Sequence, residues 1–153
     1  MLEDPILRLL LATLLGGVIG WERFVDHKPA GLRTHTLVCV GSAAFILASE
    51  SALTRAGGTA ADVTRVIQGV ITGIGFLGAG SILQSRDGTV RGLTTAATIW
   101  LVSGIGMAVG LGDARIAILS TLIAIVVLRG FRWIEEAWDR RKGRSPKEDE
   151  SFD

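Results

Sequence analysis

Residues 66–85 read VIQGVITGIGFLGAGSILQS, twenty positions without a formal charge. Within them Gly73, Gly75 and Gly78 have the G-x-G-x-x-G spacing of a dinucleotide-binding turn. That spacing has meaning only where a strand precedes it and a soluble helix follows. A helix crossing the hydrocarbon core of a bilayer needs roughly 20 mostly apolar residues. The stretch meets that requirement whole, and Gly92–Gly112 adds 21 more uncharged positions. The octet GIGFLGAG at 73–80 therefore lies at mid-membrane in a helical span. No βα turn is available there, so no cofactor is expected.

The rest of the chain agrees with a membrane reading. Of 153 residues, 48% are hydrophobic, 20 are glycine and only 3 are proline, and the mean hydropathy is +0.45. Charges nearly cancel at 16 Lys+Arg against 15 Asp+Glu, which gives no sign of a nucleic-acid partner. Cys39 stands alone in an apolar stretch and reads as a buried, inert thiol. His27 and His35 have no cysteine neighbours, so no zinc site is indicated.

Three further apolar segments, 5–21, 37–53 and 115–134, join 66–85 and 93–112 to make five spans in a transmembrane domain covering 1–134. Arg8 is expected to extend its head to the interface, as are Arg115 and Arg129. Four spans result if the short first segment does not cross, but the charge bias favours five. Arg23, Lys28 and Arg33 follow span one, Arg86 and Arg91 follow span three, and six more basic residues from Arg132 to Lys147 follow span five. The positive-inside rule then places the N-terminus outside and the C-terminus in the cytoplasm. Phe131, Ile134 and Trp138 share one helix face, so residues 130–142 read as an interfacial amphipathic helix with Trp133 and Trp138 as anchors. Residues 143–153 are too polar to fold and read as a disordered tail. The expected class is an all-α, polytopic membrane helix bundle.

The two loops on the basic side resemble each other. Gly16, Arg23, Gly31, Leu32 and Thr34 match Gly78, Arg86, Gly92, Leu93 and Thr95, which suggests a parallel repeat of two hairpins.

The glycines have a use in lipid, where small residues let helix backbones approach. Gly16–Gly20, Gly69–Gly73 and Gly106–Gly110 each have the small-xxx-small spacing. With Gly75, Gly78 and Gly80 they are expected to form packing seams. The alternative for the third span is a broken helix lining an ion path.

Charged and polar residues at span ends are the candidates for ligand, ion or coupling roles. They are Glu22, Arg23, Arg33, Thr34, Asp62, Arg65, Gln68, Arg91, Thr94 and Thr95. Asp62 and Arg65 are three apart and can pair on one helix face. The helix starts at 31–34 and 91–95 offer backbone N–H groups, hydroxyls and an Arg, which suits a phosphate or lipid headgroup. For each residue taken singly, structural pairing or capping is the blander reading. Glu22 or Asp62 can supply one ligand to magnesium, but no cluster of ligands is evident. No catalytic constellation is present, so no enzyme activity is expected.

GWER at 20–23, AGLRTHTLVCVGSA at 30–43, GVITGIGFLGAGSIL at 69–83 and VRGLTTAATIWLVSGIGMAVGLG at 90–112 resemble the bacterial MgtC/SapB membrane proteins. The resemblance runs from Leu7 to Val127. It implies an inner-membrane protein linked to growth at low magnesium, acting as a regulator of other membrane machines. Inhibition of the rotary ATP synthase, with effects on ATP and phosphate balance, is what it implies for a partner. Asp62 fills the family's acidic position before the glycine-rich span, and Arg33 and Thr34 match its inner motif. The chain looks like the short, SapB-type form without a C-terminal soluble domain. A channel or transporter for magnesium or another small ion is the alternative. Small-residue faces on several spans also suggest a homodimer.

Overall fold

The computed structural model describes residues 3–56, 59–84 and 88–141. The described residues form five helices: α1 (Pro5–Val25), α2 (Leu32–Ala56), α3 (Ala60–Gly80), α4 (Leu93–Gly110) and α5 (Ala114–Arg141). All five are long and apolar enough to cross a membrane. Between α3 and α4, β1 (Leu83–Gln84) and β2 (Val90–Arg91) pair antiparallel, Leu83 opposite Arg91 and Gln84 opposite Val90. Arg86 and the tail 142–153 lie outside the described residues.

Local chemistry sets most helix ends. Asp4 caps α1 by accepting from the Ile6 N–H at 2.8 Å, with Pro5 next, where a missing N–H costs nothing. The first helix ends with the Lys28 N–H on the Arg23 carbonyl at 3.0 Å and His27 at φ 51°. That is a Schellman closure with histidine in the left-handed position glycine usually takes. α4 closes in the same way through Gly112, with the Asp113 N–H on the Ala108 carbonyl at 2.9 Å. Asp113 then caps α5 through the Ile116 N–H at 3.1 Å. Gly92, at φ 85°, starts α4 where a Cβ would run into the Ser81 carbonyl oxygen. Only glycine satisfies both conditions there.

The core lies between α1, α2 and α4. Ile19, Cys39, Ala43, Val102, Ile105 and Val109 are buried in it, and α5 adds Ala117 and Ala124. α3 sits at the margin. Its buried hydrophobic is Ile74, against Ala30 and Ile99.

Several expectations need correction. α3 is one unbroken helix from 60 to 80, so it is not split; the span expected at 66–85 lies nearer the N-terminus, and the octet 73–80 forms its last two turns instead of its middle. Residues 130–141 continue α5 without a break instead of forming a separate helix. Arg8 does not reach for the interface: it is 7% exposed and turned into the bundle. Within the sequence repeat, the loop of the second hairpin carries the strand pair and that of the first does not.

Candidate functional site

The face of α2 that meets α1 and α4 carries His35, Cys39, Ser42, Ile46 and Glu50, at helical spacing. His35, Ser42 and Glu50 each find a polar partner on a neighbouring helix, so a column of polar contacts follows this face, buried at His35 and Ser42 and partly exposed at Glu50. Its first group sits at the basic end. Glu22 and Arg23 are each only 3% exposed. Arg23 Nε donates to Glu22 Oε2 at 2.6 Å and Nη2 to Oε1 at 2.9 Å. This fork satisfies both carboxylate oxygens, the geometry in which a buried charge pair is tolerated. Arg23 also reaches Asp26 at 3.4 Å, and Asp26 bonds Arg132 of α5. Burial pushes the Asp26 carboxyl up, but the hydrogen bond and charge of Arg132, with the charge of Arg23, hold it below the ordinary 3.8.

One turn further in, His35 Nδ1 lies 3.0 Å from the Gly31 carbonyl and Nε2 lies 3.0 Å from Thr98 Oγ1. A carbonyl only accepts, so Nδ1 carries the proton. In a neutral ring Nε2 then accepts from the Thr98 hydroxyl. A second proton on the ring reverses that bond, and Thr98 donates to the Thr95 carbonyl, 2.9 Å away. The Thr98 hydroxyl has a single hydrogen, so with a neutral ring it serves either Nε2 or the Thr95 carbonyl and not both. Beyond Cys39, Ser42 Oγ and Ser103 Oγ are 2.9 Å apart. At the far end Arg8 donates to Glu50 Oε2 at 2.8 Å and to the Gly110 carbonyl at 2.7 Å. That arginine joins α1, α2 and the last turn of α4.

The sequence candidates divide between the two ends. Glu22, Arg23 and Thr95 are buried at the basic end, while Arg33, Thr34, Arg91 and Thr94 are exposed there. Asp62, Arg65 and Gln68 belong to the opposite end, on α3. Asp62 Oδ2 accepts from the Thr59 N–H at 2.9 Å and its hydroxyl at 3.2 Å, closing the first turn of the helix. Among the described residues it makes no ion pair with Arg65. Nor do three His, Cys, Asp or Glu side chains gather anywhere among the described residues to hold a metal ion.

The glycines divide as well. A Cβ at Gly16 would stand 2.6 Å from the Cys39 Cβ, and at Gly20 2.8 Å from the Leu32 Cα. At Gly110 it would lie 2.7 Å from the Ile46 Cβ, and at Gly106 it would strike the Cys39 carbonyl. These four glycines let α1 and α4 close on α2. Gly78 makes ordinary contact with Ala96 at 3.8 Å, whereas Gly69, Gly73, Gly75 and Gly80 face open space within 4 Å. Among the described residues, the expected seam along α3 is therefore limited to Gly78.

Arg8–Glu50, His35–Thr98 and Ser42–Ser103 are missing from the sequence candidates. The 35, 39, 42, 46, 50 periodicity on α2 was the signal that could have found them.

The sequence profile of the MgtC family matches residues 9–137. Protein SrpB of Synechococcus elongatus is 41% identical over 147 residues, covering 87% of this chain and 81% of SrpB. The "Putative magnesium transporter YhiD" of Escherichia coli K12 is 40% identical over 134 residues, covering 86% of this chain and 62% of YhiD. Protein MgtC of Salmonella typhimurium is 46% identical over 127 residues, covering 82% of this chain and 52% of MgtC. The chain thus spans between about half and four-fifths of these relatives. No solved structure matches it.

Proposed function

This chain belongs to the MgtC family of membrane proteins, and on that premise we propose that it regulates another membrane machine by helix–helix contact. The role is non-enzymatic and tied to magnesium limitation and to ATP and phosphate balance. The rotary ATP synthase is the machine that the family resemblance suggests. We place the protein in the bacterial inner membrane with its N-terminus outside and its C-terminus in the cytoplasm, on the charge bias of its loops.

One observation carries the reading. The outward face of α3 presents Arg65, Gln68, Gly69, Thr72, Gly73 and Phe76, and nothing among the described residues covers it. Small residues in lipid serve close backbone approach, and Gly69 and Gly73 have no such neighbour of their own. The Gln68 amide adds donors and an acceptor that hydrocarbon cannot satisfy. A helix of a partner meets both needs. A second copy of the chain is the other occupant of this face, and cross-linking with native mass measurement distinguishes them.

The test is ATP-driven proton pumping in inverted membrane vesicles, with and without the protein. The wild type is expected to lower pumping. Gly73→Leu should restore it while the protein stays folded in the membrane, because that position faces open space. Pumping unaffected by the wild type would sink the ATP synthase as partner.

A second reading, ion transport, draws on the magnesium-transporter name given to YhiD and on the buried polar contact between His35 and Thr98. It predicts magnesium, proton or phosphate flux in proteoliposomes that depends on Arg33, Asp62 or Arg65. A well-folded preparation without such flux would remove it.

A further inference from the structure

A groove of about 510 Å³ opens on the outside of the bundle between α1 and α5. Leu14, Gly17, Val18 and Trp21 of α1 form one wall, at i, i+3, i+4 and i+7, and Ile125 and Arg129 of α5 form the other. Leu14, Val18 and Trp21 are exposed, as expected for a surface turned toward lipid. The groove has the size of a small-molecule site and an almost wholly apolar lining. Its polar members are mostly engaged. Thr13 donates to the Leu9 carbonyl at 2.8 Å, and both Glu22 oxygens are held by Arg23.

Arg129 is the exception. It is exposed at the basic end of the groove and makes no ion pair among the described residues. Trp21 lies at the same end, with its ring centroid 5.8 Å from that of Phe24, where aromatic side chains mark the interface. An apolar slot inside the bilayer, closing on an unpaired guanidinium at headgroup level, complements one class of molecule.

We propose that an anionic phospholipid seats one acyl chain in the α1–α5 groove and sets its phosphate against Arg129. Basic sites between transmembrane helices bind anionic headgroups by this combination, and one arginine near the surface contributes about a fivefold preference. Gly17 keeps the floor of the groove low. A Cβ there would meet Thr36 Oγ1 at 3.7 Å and Leu32 Cδ1 at 4.0 Å, both ordinary contacts. A larger side chain at Gly17 can therefore be admitted, and it would fill the slot.

The full chain, purified in detergent, is mixed with equal amounts of phosphatidylglycerol and phosphatidylcholine and measured by native mass spectrometry. The wild type should retain one phosphatidylglycerol with about a fivefold preference. Arg129→Gln should equalise the two lipids, and Gly17→Leu should remove the retained lipid, with helix content by circular dichroism unchanged. If Gly17→Leu does not fold, Val18→Phe fills the same slot from the neighbouring position. Equal retention by the wild type, or an undiminished preference in Arg129→Gln, overturns the proposal. Displacement of the lipid by inorganic phosphate, or a dimer that excludes lipid from the groove, would assign the site to a soluble anion or a second copy and overturns it equally.

Discussion

α1 and α3 carry glycine pairs of the same spacing, Gly16–Gly20 and Gly69–Gly73. In α1 the pair is pressed against α2, close enough that a single added carbon would overlap Cys39 or Leu32. In α3 the same spacing meets nothing within 4 Å. Buried charge divides the two helices in the same way. Arg8, Glu22 and Arg23 of α1 are all buried and bonded, while Arg65 of α3 is exposed. A small-xxx-small motif says which residues share a face. Whether that face closes the fold or waits for another molecule depends on which helix the rest of the chain brings to it. In this protein α1, α2 and α4 close on one another, and α3 keeps Gly69, Gly73, Gly75 and Gly80 for the outside.

The largest test of this contrast is the buried pair. Arg23→Met removes one partner and leaves the Glu22 carboxylate enclosed, which should cost about 3–5 kcal/mol. Arg65→Met on α3 should stay within about 0.5 kcal/mol, as an exposed change does. Thermal unfolding in one detergent compares them directly. The double replacement Glu22→Leu with Arg23→Met should recover most of the loss, since no uncompensated charge remains. Equal melting of Arg23→Met and wild type would remove the distinction between the helices.

Glycine exchange gives the next largest effect. Gly20→Ala places its methyl 2.8 Å from the Leu32 Cα and 2.9 Å from its carbonyl oxygen. Backbone cannot yield as a side-chain tip does, so overpacking should cost about 1–3 kcal/mol. Gly69→Ala has room and exchanges a poor helix former for the best one. It should leave stability unchanged or raise it by up to about 1 kcal/mol. Opposite signs for two substitutions in the same motif would sharpen the comparison. Matching losses would show that α3 packs as tightly as α1.

The spans were legible because a bilayer imposes a length and a polarity that composition reveals directly. Helix starts were legible too: the apolar span was read from Leu37, but the polar residues at 31–34 read as the helix start, and the helix begins at Leu32. The GIGFLGAG octet illustrates the limit. Its helical state follows from the string itself, yet its place and its neighbours do not: the helix runs from 60 to 80, so the octet forms its last two turns. Arg8 was expected at the interface because one sequence position cannot show that Glu50, 42 residues away, arrives beside it. Contacts between helices are long-range facts. The pattern on α2 could have indicated a buried polar face, but the partners Thr98 and Ser103 become apparent only once α4 is laid against it.

The smallest expected effect concerns the contact that joins α1 to α5. Asp26 bonds both Arg23 and Arg132, and its carboxyl is held below the ordinary 3.8 in the folded protein. The charged form is the one the fold favours. Its contribution is therefore complete above 3.8 and is lost as pH falls through the lower folded value. Arg132 is half exposed, so solvent and salt screen the pair and its worth should be about 1 kcal/mol or less. Asp26→Asn keeps the shape and removes the charge. The gap in melting temperature between wild type and Asp26→Asn should hold steady from pH 7 down to about 5 and shrink below 3.8. Added salt should narrow it at neutral pH. The same experiment on Asp62→Asn supplies the α3 counterpart, where the carboxylate serves Thr59 of its own first turn and ties no other helix. A pH-independent gap at Asp26 would mean that the α1–α5 contact rests on shape alone, and the basic end would then differ from α3 only in packing.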